Sequence, residues 1–503
     1  MAKRLCVLAV AVFALSVGTS AQDARAVLQK ASAAMGAANL KTIQYTGTGW
    51  NAGVGQSYSA SDDWPKFEIT SYTRTIDYDA RSSHEDLTRR QGSYPPRGGG
   101  GAPLAGDQRQ IAVVSGNSAW NVQGTTSAPQ PAAAELRQLD IWLSPHGFLK
   151  AALAAPNATA VPMTLEGKKV TIVSFTALGK FRVNGTITDQ NLVERVQTWV
   201  PNPVFGDMVY EHRYSEYKDF SGVKFPTVLH SHQGDPRLNP GHNWMEVRVT
   251  GAQPNVTATA LAVPDNVRQA SIPPVRVDSQ RLASGVWLVA GGSHNSVAVE
   301  FRDFVAVVEA PQDENRSLAV IAEVNRLVPG KPIQYLVNTH HHFDHSGGLR
   351  TYVAQGTTIV THQSNREFYE DVVFYPAPRT LQPDRLSTQY PWFAGNRIPP
   401  IETVSQKYVL SDGVRTMDVL PVQGLGHVSN MVIVYLPTEK LLINADLYSP
   451  PAAGAPAPPV TASMKTYLEN IRRLKLDVAQ HVPIHGAPGP HAEFLKIMGS
   501  GSN

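Results

Sequence analysis

The sequence predicts an α/β protein of two domains, in which an α/β sandwich follows a β-rich domain. After residue 281, short apolar strands alternate with helical stretches, a pattern typical of helices packed in layers on a sheet. Between Ile43 and Pro264, short β-rich runs instead alternate with turn residues. The polar stretch 266–280, which contains Pro273 and Pro274, separates the two textures and is predicted to be a linker.

The first 21 residues have the pattern of a secretory signal peptide. Lys3 and Arg4 precede the apolar run Leu5–Val17, and Thr19 and Ala21 stand at the −3 and −1 positions of a cleavage site. This apolar run is too short to span a bilayer, which needs about 20 residues. We therefore predict export to the periplasm or the medium.

Removal of residues 1–21 leaves a β-rich domain at 22–265, the linker at 266–280 and the sandwich at 281–498. It also removes Cys6, the only cysteine, so the mature chain has no disulfide, thiolate ligand or cysteine nucleophile. Its 42 basic residues (44 less Lys3 and Arg4) nearly balance 41 acidic ones, which argues against a nucleic-acid partner. No later segment is apolar enough to span a membrane, so we predict no integral membrane segment.

Within the N-terminal domain, helical spacing over 24–36 and near 132–143 and 147–154 predicts three helices beside the strands. The glycine run Gly98–Gly101 is predicted to be a flexible, exposed loop. Four histidines without a partnered acidic motif are predicted to be surface or core-edge residues and not metal ligands: His212, His230, His232 and His242.

The run Tyr214–Leu229 combines an aromatic strand, a glycine turn, a proline and a second strand. It resembles a hairpin of the outer-membrane lipoprotein-sorting carrier family, and the resemblance extends over residues 24–265. That resemblance implies a curved antiparallel sheet that shelters an apolar ligand. The alternative is a general β-domain that only supports its neighbour, and the residues leave both open.

The most informative motif follows the predicted strand Ile333–Val337. It reads Thr-His-His-His-Phe-Asp-His-Ser-Gly-Gly over residues 339–348. Histidines and an aspartate at the end of a buried strand lose hydration without gaining apolar contacts, so they are a poor structural choice. Neutral imidazole and carboxylate are instead good ligands for a borderline cation such as Zn²⁺. The motif therefore predicts a metal site.

This His-x-His-x-Asp-His pattern is the signature of the metallo-β-lactamase fold superfamily, which the chain resembles over residues 280–495. Three later segments resemble the remaining ligand motifs of that superfamily in the same order. They are Gly424–His427 for the third histidine, Leu441–Asp446 for the bridging aspartate and Val482–Gly486 for the last histidine. The resemblance implies an αββα sandwich.

It also implies a centre of two metal ions, expected to be Zn²⁺. The implied ligands are His340, His342 and His427 for one ion, Asp344, His345 and His485 for the second, and Asp446 for both. Two close metal ions lower the pKa of water between them and supply a bridging hydroxide at neutral pH. Asp344 is the predicted catalytic residue, because it can orient that hydroxide and pass its proton to a leaving group.

Four further residues are less certain in role. Glu309 ends the strand at which the superfamily usually carries an aspartate that supports the ligands, so the longer acid alters the fine geometry. His341 is predicted to point away from the metals. His294 is a candidate substrate contact near the mouth of the cleft. Tyr448 is a second one, because related lactonases place a tyrosine three residues after the bridging aspartate and here it stands two after Asp446.

The segment Phe368–Phe393 is aromatic and rich in proline, and it lies between the first and second ligand motifs. It could be a lid over an apolar substrate, or it could pack on the other domain. The leading hypothesis is an exported dinuclear zinc hydrolase that cleaves an ester, lactone or amide bond in a small, partly apolar substrate. Alternatives are an all-His/Asp β-lactamase, a thioester hydrolase, or an apolar-ligand carrier with a metal domain.

Overall fold

The computed structural model describes residues 23–237, 241–257, 261–375, 377–389, 400–452 and 454–499. The predicted signal peptide therefore lies outside the described residues. Within the described part of the chain, no helix has both the length and the hydropathy needed to cross a membrane.

The N-terminal domain is built on one antiparallel sheet of 13 strands, as the β-rich texture predicted. Its strands are β1 Thr42–Ala52, β2 Lys66–Asp77, β3 Ser82–Arg90, β4 Gln108–Ser115, β5 Ser118–Gln123, β6 Thr126–Pro129, β7 Thr159–Leu165, β8 Lys168–Ala177, β9 Phe181–Thr188, β10 Val193–Asn202, β11 Gly206–Phe220, β12 Val223–Gln233 and β13 His242–Pro254. Strands that follow each other in sequence are neighbours from β1 to β6 and from β7 to β13. The two halves join where β1 pairs with β13.

Three helices pack on this sheet at the predicted positions: α1 Ala24–Met35, α2 Ala134–Leu143 and α3 Pro145–Ala154, with a 3₁₀ turn at Pro131–Ala133. Asp23 caps α1 by accepting a hydrogen bond from the Arg25 amide. Phe148 of α3 is fully buried and lies against Gly185 of β9, where an added Cβ would come within 2.0 Å of the ring. The helices are thus locked on the sheet by close packing.

The C-terminal region contains two further sheets. The first has seven strands: β14 Asp278–Ala283, β15 Val286–Gly291, β16 His294–Glu300, β17 Val305–Val308, β18 Ile333–Val337, β19 Thr358–His362 and β20 Ile401–Val404. The second has six: β21 Tyr408–Ser411, β22 Thr416–Pro421, β23 Val432–Leu436, β24 Leu441–Asn444, β25 Gln480–Pro483 and β26 Gly489–Pro490. The short helix α4 Asp265–Arg268 precedes these sheets and packs on the N-terminal sheet through Val267. The helices of the C-terminal region are α5 Glu314–Leu327, α6 Phe343–Ser346, α7 Leu349–Val353, α8 Arg366–Phe368, α9 Arg385–Gln389, α10 Ala462–Arg473 and α11 His491–Ile497. A 3₁₀ turn at Gln363–Asn365 and a π-helical turn at Tyr369–Val373 flank α8.

The residues of β17 show how these elements are layered. Val305 and Val307 belong to the apolar cluster that includes Val320 and Val324 of α5. Ala306 and Val308 belong instead to the cluster shared with the second sheet and with α10 and α11. Because successive residues of a strand point to opposite faces, one face of the sheet meets helices and the other meets a sheet. The order of layers is therefore helix, sheet, sheet, helix.

The described part of the aromatic, proline-rich segment packs on the N-terminal domain. The guanidinium of Arg379 donates hydrogen bonds to the carbonyls of Pro203 and Val204, in the turn between β10 and β11. The carboxylate of Asp207, in β11, accepts hydrogen bonds from the amides of Thr380 and Leu381. Of the two alternatives, packing on the other domain holds here, while Tyr390, Trp392 and Phe393 lie outside the described residues.

Candidate metal centre

The His-x-His-x-Asp-His motif lies at the carboxyl end of β18, which is a central parallel strand flanked by β17 and β19. Open α/β sheets present their functional loops at this end. His340 and His342 are completely buried, and His345 is 1% exposed. An imidazole that is buried away from water costs free energy unless its nitrogens find polar partners. The contacts of these three rings therefore define the site.

The first group joins His340, His342, His427 and Asp446. Nε2 of His340 lies 3.0 Å from Nδ1 of His342. Oδ2 of Asp446 lies 3.3 Å from Nε2 of His340 and 3.1 Å from Nε2 of His427. The structure thus brings together side chains from three motifs that lie up to 106 positions apart in the numbering.

The second group joins Asp344, His345 and His485 with a fourth residue, His294. Nε2 of His345 lies 3.6 Å from Oδ2 of Asp344 and 3.4 Å from Nε2 of His485. Nε2 of His294, at the start of β16, lies 3.3 Å from the same Oδ2 of Asp344. His294 is therefore placed among the ligand-type atoms, and a substrate contact there stays a prediction.

Asp446 contacts both groups. Besides its contacts in the first group, Oδ2 lies 3.1 Å from Nε2 of His345, and Oδ1 lies 2.9 Å from Nε2 of His485. Its backbone adopts a left-handed φ of 55°, which non-glycine residues seldom take. Such conformations concentrate at functional sites, where surrounding contacts hold them in place. The carboxylate is thus held where a bridging ligand would stand.

The ring nitrogens that face away from these groups are also held. Nε2–H of His342 donates to the carbonyl of Ser57 at 2.9 Å. Nδ1–H of His485 donates to the carbonyl of Ser293 at 2.8 Å, and Nδ1–H of His345 donates to Glu309 at 2.9 Å. A proton on the outward nitrogen leaves a lone pair on the inward one, so these contacts select the tautomer that binds a metal.

Glu309 stands where an aspartate was expected, and both of its carboxylate oxygens accept hydrogen bonds. It is completely buried, directly after β17, with a φ of 78°. Oε1 accepts a hydrogen bond from the Asn338 side chain at 2.9 Å, and Oε2 accepts one from the Thr339 hydroxyl at 2.5 Å as well as the one from His345. The longer acid thus supports the metal-binding loop from behind, where the superfamily usually carries a shorter one.

The N-terminal domain contributes to the centre, which the sequence did not predict. Nε2 of Gln56 donates to Oδ1 of Asp344 at 2.7 Å, while its Oε1 accepts from the Gly100 amide at 2.9 Å. Gly98 and Gly99 are buried, so the expectation of an exposed glycine loop is wrong there. A Cβ on Gly99 would stand 2.0 Å from Oε1 of Gln56 and 2.8 Å from Cε1 of His342. A side chain at Gly99 would therefore displace Gln56 of the N-terminal domain or His342 of the metal-ligand motif.

The donor set fits divalent transition-metal ions. Imidazoles and carboxylates of this kind suit Zn²⁺. Nε2 of His427 is buried and lies 3.1 Å from Oδ2 of Asp446, but it makes no hydrogen bond of good geometry with a described residue, which leaves its lone pair available to a metal ion. Burial, with a smaller effect from the neighbouring His345, lowers the pKa of His340 to about 3. The neutral imidazole, which is the form that binds metals, therefore predominates at neutral pH.

The two remaining candidates lie apart from the ligand atoms. Nε2 of His341 contacts the Ser57 hydroxyl and its Nδ1 contacts Oδ1 of Asn430, so its ring points away from the metals as predicted. Tyr448 is 3% exposed, and its ring packs on Phe494 with 4.5 Å between centroids. A substrate contact at Tyr448 stays a prediction.

Fold and site together define a metal-dependent hydrolase of the αββα class. Residues 289–479 match the model of the Metallo-beta-lactamase superfamily, so the expected resemblance and fold are confirmed for this region. No curated protein matches the chain at significant similarity.

Solved structures with a similar chain path include a metallo-beta-lactamase from Pontibacter korlensis, at 19% identity and a TM-score of 0.34, covering 45% of this chain and all of that one. Another is the metallo-beta-lactamase FIM-1 from Pseudomonas aeruginosa in its mono-zinc form, at 20% identity and a TM-score of 0.32, covering 46% of this chain and 96% of that one. The resemblance to the superfamily comes from the family match over residues 289–479 and not from these structures, whose TM-scores are below 0.5.

Proposed function

We propose that the chain is an exported dinuclear zinc hydrolase that cleaves an ester, lactone or amide bond in a small, partly apolar substrate. The observation that carries this proposal is the position of Asp446, whose two carboxylate oxygens contact both groups of ligand-type side chains. We assign His340, His342 and His427 to one ion and Asp344, His345 and His485 to the other.

When bound, two zinc ions would lower the pKa of a water molecule and polarise the carbonyl of the substrate. The side chains act around that chemistry. Asp344 is 40% exposed, so solvent and substrate reach it, and its Oδ2 can accept the proton of the attacking water and return it to the leaving group. Gln56 donates to Oδ1 of Asp344 and so fixes the orientation of the carboxylate.

The N-terminal domain is proposed to form one wall of the substrate site. Gln56 and the glycine loop lie beside Asp344 and His342, and Trp64 and Phe205 of the same domain pack edge-on against Phe343, with ring centroids 6.0 and 5.0 Å apart. Trp64 and Phe205 are buried, so these rings hold the wall against the motif, and a partly apolar substrate stays a proposal. We propose boundaries of 22–265 and 281–498 for the two domains.

Export remains supported by the sequence pattern of residues 1–21, with a periplasmic or secreted location for the mature chain. A cysteine-free mature chain with imidazole and carboxylate ligands is compatible with either location. Release of the mature protein from cells that express the full chain, with a new N-terminus at residue 22, would test this part.

The decisive experiment for the reaction is a set of initial rates on esters, lactones, amides, thioesters and β-lactams, with and without a chelator. Turnover that is lost on chelation and regained with Zn²⁺ is expected, and the preferred bond would separate a lactonase from a β-lactamase or a thioesterase. His342→Ala and Asp344→Ala should abolish it, while the control His362→Gln, on β19, should not. Turnover that survives chelation and both alanine variants would refute the proposal.

A further inference from the structure

A second cluster of metal-ligating side chains lies on the 13-stranded sheet of the N-terminal domain. His230 and His232 are alternate residues of β12, so they point to the same face. The register places His230 opposite Glu246 of β13, and places His232 between Glu211 of β11 and Asn243 of β13. The acidic partners that no local motif provided are thus supplied by the neighbouring strands.

The two imidazoles face each other. Their Nε2 atoms are 3.2 Å apart, and Oδ1 of Asn243 lies 2.9 Å from Nε2 of His230. On the far side of each ring stands a carboxylate: Nδ1 of His230 lies 3.0 Å from Oε2 of Glu246, and Nδ1 of His232 lies 3.2 Å from Oε1 of Glu211. Around His230 this is the carboxylate–histidine arrangement found behind metal ligands, whereas Nδ1 of His232 lies beside Glu211 without a hydrogen bond of good geometry.

No neutral tautomer of His230 satisfies all of these contacts, because an acceptor oxygen faces each of its ring nitrogens. If each Nδ1 carries the proton toward its carboxylate, both Nε2 atoms are lone pairs, and the carbonyl oxygen of Asn243 adds a third acceptor beside them. If a proton moves to Nε2, a ring lone pair then faces a carboxylate. Three acceptors that converge without a donor between them are satisfied by a cation.

The spacing matches a tetrahedral ion. With bonds of about 2.0–2.1 Å, two nitrogen ligands on one zinc ion stand about 3.3–3.4 Å apart. The observed 3.2 Å between the Nε2 atoms is close to that edge. The strand β13 also carries an irregularity where His232 meets Asn243, and such bulges re-aim side chains at functional sites.

The cluster is accessible from solvent. His232 lines two cavities of about 520 and 420 Å³, and His230 lines the second. The two imidazole side chains are 25% and 23% exposed, whereas Glu211 behind them is only 7% exposed. An ion could therefore enter from the cavities and keep a coordination position open toward them.

We propose that His230, His232 and Asn243 bind one divalent transition-metal ion, with Glu246 as the carboxylate that orients His230 and with Glu211 beside His232. The site is separate from the candidate metal centre and does not depend on the proposed hydrolase activity. It departs from the expectation that the histidines of this region bind no metal.

The test measures zinc per chain by mass spectrometry after dialysis of the full mature protein against buffered free Zn²⁺. His232→Gln should hold one zinc ion fewer than the wild type, whatever the wild-type total. Glu246→Gln should keep the site but weaken its affinity 10- to 100-fold, as expected for a lost outer partner. His84→Gln, on β3 of the same sheet, is the matched control and should lose none.

Asn243→Asp provides an independent measurement, because a carboxylate binds the cation more tightly than an amide does. It should strengthen zinc binding at this site at least tenfold, which a purely structural hydrogen-bond network would not do. An unchanged zinc count in His232→Gln, together with unchanged affinity in Asn243→Asp, would overturn the proposal and leave a protonated histidine pair.

Discussion

Glu309→Gln removes one charge from the support of the metal-binding loop and leaves the shape of the side chain intact. If the amide oxygen keeps the Asn338 contact, the amide nitrogen takes the position of Oε2, which now accepts from Thr339 and His345. The threonine hydroxyl can rotate, but Nδ1–H of His345 then meets a second donor. The imidazole proton is expected to move to Nε2, the atom that faces Asp446.

The magnitude follows from that exchange. Loss of an outer partner of a metal-ligating histidine typically costs 10- to 100-fold in affinity or activity, or about 1.4 to 2.7 kcal/mol. We expect this loss at the ion held by Asp344, His345 and His485, with the other ion affected less. Stability should also fall, because Glu309 is completely buried and its donors lose their acceptor.

Competition with a zinc chelator measures the two affinities, and kcat/KM on the preferred substrate measures the activity. Glu300→Gln is the control, since it removes a half-exposed carboxylate of the nearby strand β16 whose ion pair, among the described residues, is with Lys331. Glu309→Asp should retain more affinity than Glu309→Gln, because it keeps the charge. Equal zinc affinity in wild type and Glu309→Gln would refute the view that Glu309 sets the tautomer of His345.

Three further predictions concern the contact between domains, acid stability and metal binding. Gln56→Ala should lower kcat about tenfold while the fold stays intact, because Asp344 loses its orienting donor. Gly99→Ala should lower kcat at least as much, since the added Cβ collides with Gln56 and His342. Circular dichroism checks the fold, and unchanged kcat in both variants would count against a role of the N-terminal domain. Burial lowers the pKa of His146 to about 4, so its contribution to the free energy of unfolding is complete above pH 6.5 and falls by about 3 kcal/mol as the pH drops from 6.5 to 4. His146→Phe should flatten this pH dependence of the free energy of unfolding in urea. The same pH dependence in His146→Phe and the wild type would contradict the assignment. Free Zn²⁺ at 100 times its Kd should stabilise the chain by about 2.7 kcal/mol, which is measured as a rise in Tm. His342→Ala should reduce this rise, and an equal rise in that variant would show that the zinc binds elsewhere.

The C-terminal fold could be predicted because its information is local. A continuous apolar run such as β17, and a ligand motif directly after β18, are readable from neighbouring residues. The three later ligand motifs were located by their order along the chain, and the structure brings all seven predicted side chains into the two groups.

Contacts across long stretches of chain could not be predicted in this way. Gln56 reaches Asp344 across 288 positions, and neither residue type marks its partner in the sequence. The glycine loop was expected to be exposed because glycine runs usually are, but burial at Gly99 is set by a second domain. Likewise, the carboxylates behind His230 and His232 come from adjacent strands, which only the register reveals.

The most direct test of the central claim is X-ray diffraction from crystals of the mature protein grown with Zn²⁺, recorded on both sides of the zinc absorption edge. Two anomalous peaks are predicted at the centre, one against His340, His342 and His427 and the other against Asp344, His345 and His485, with Asp446 in contact with both. A single peak there, or none, would contradict a dinuclear centre.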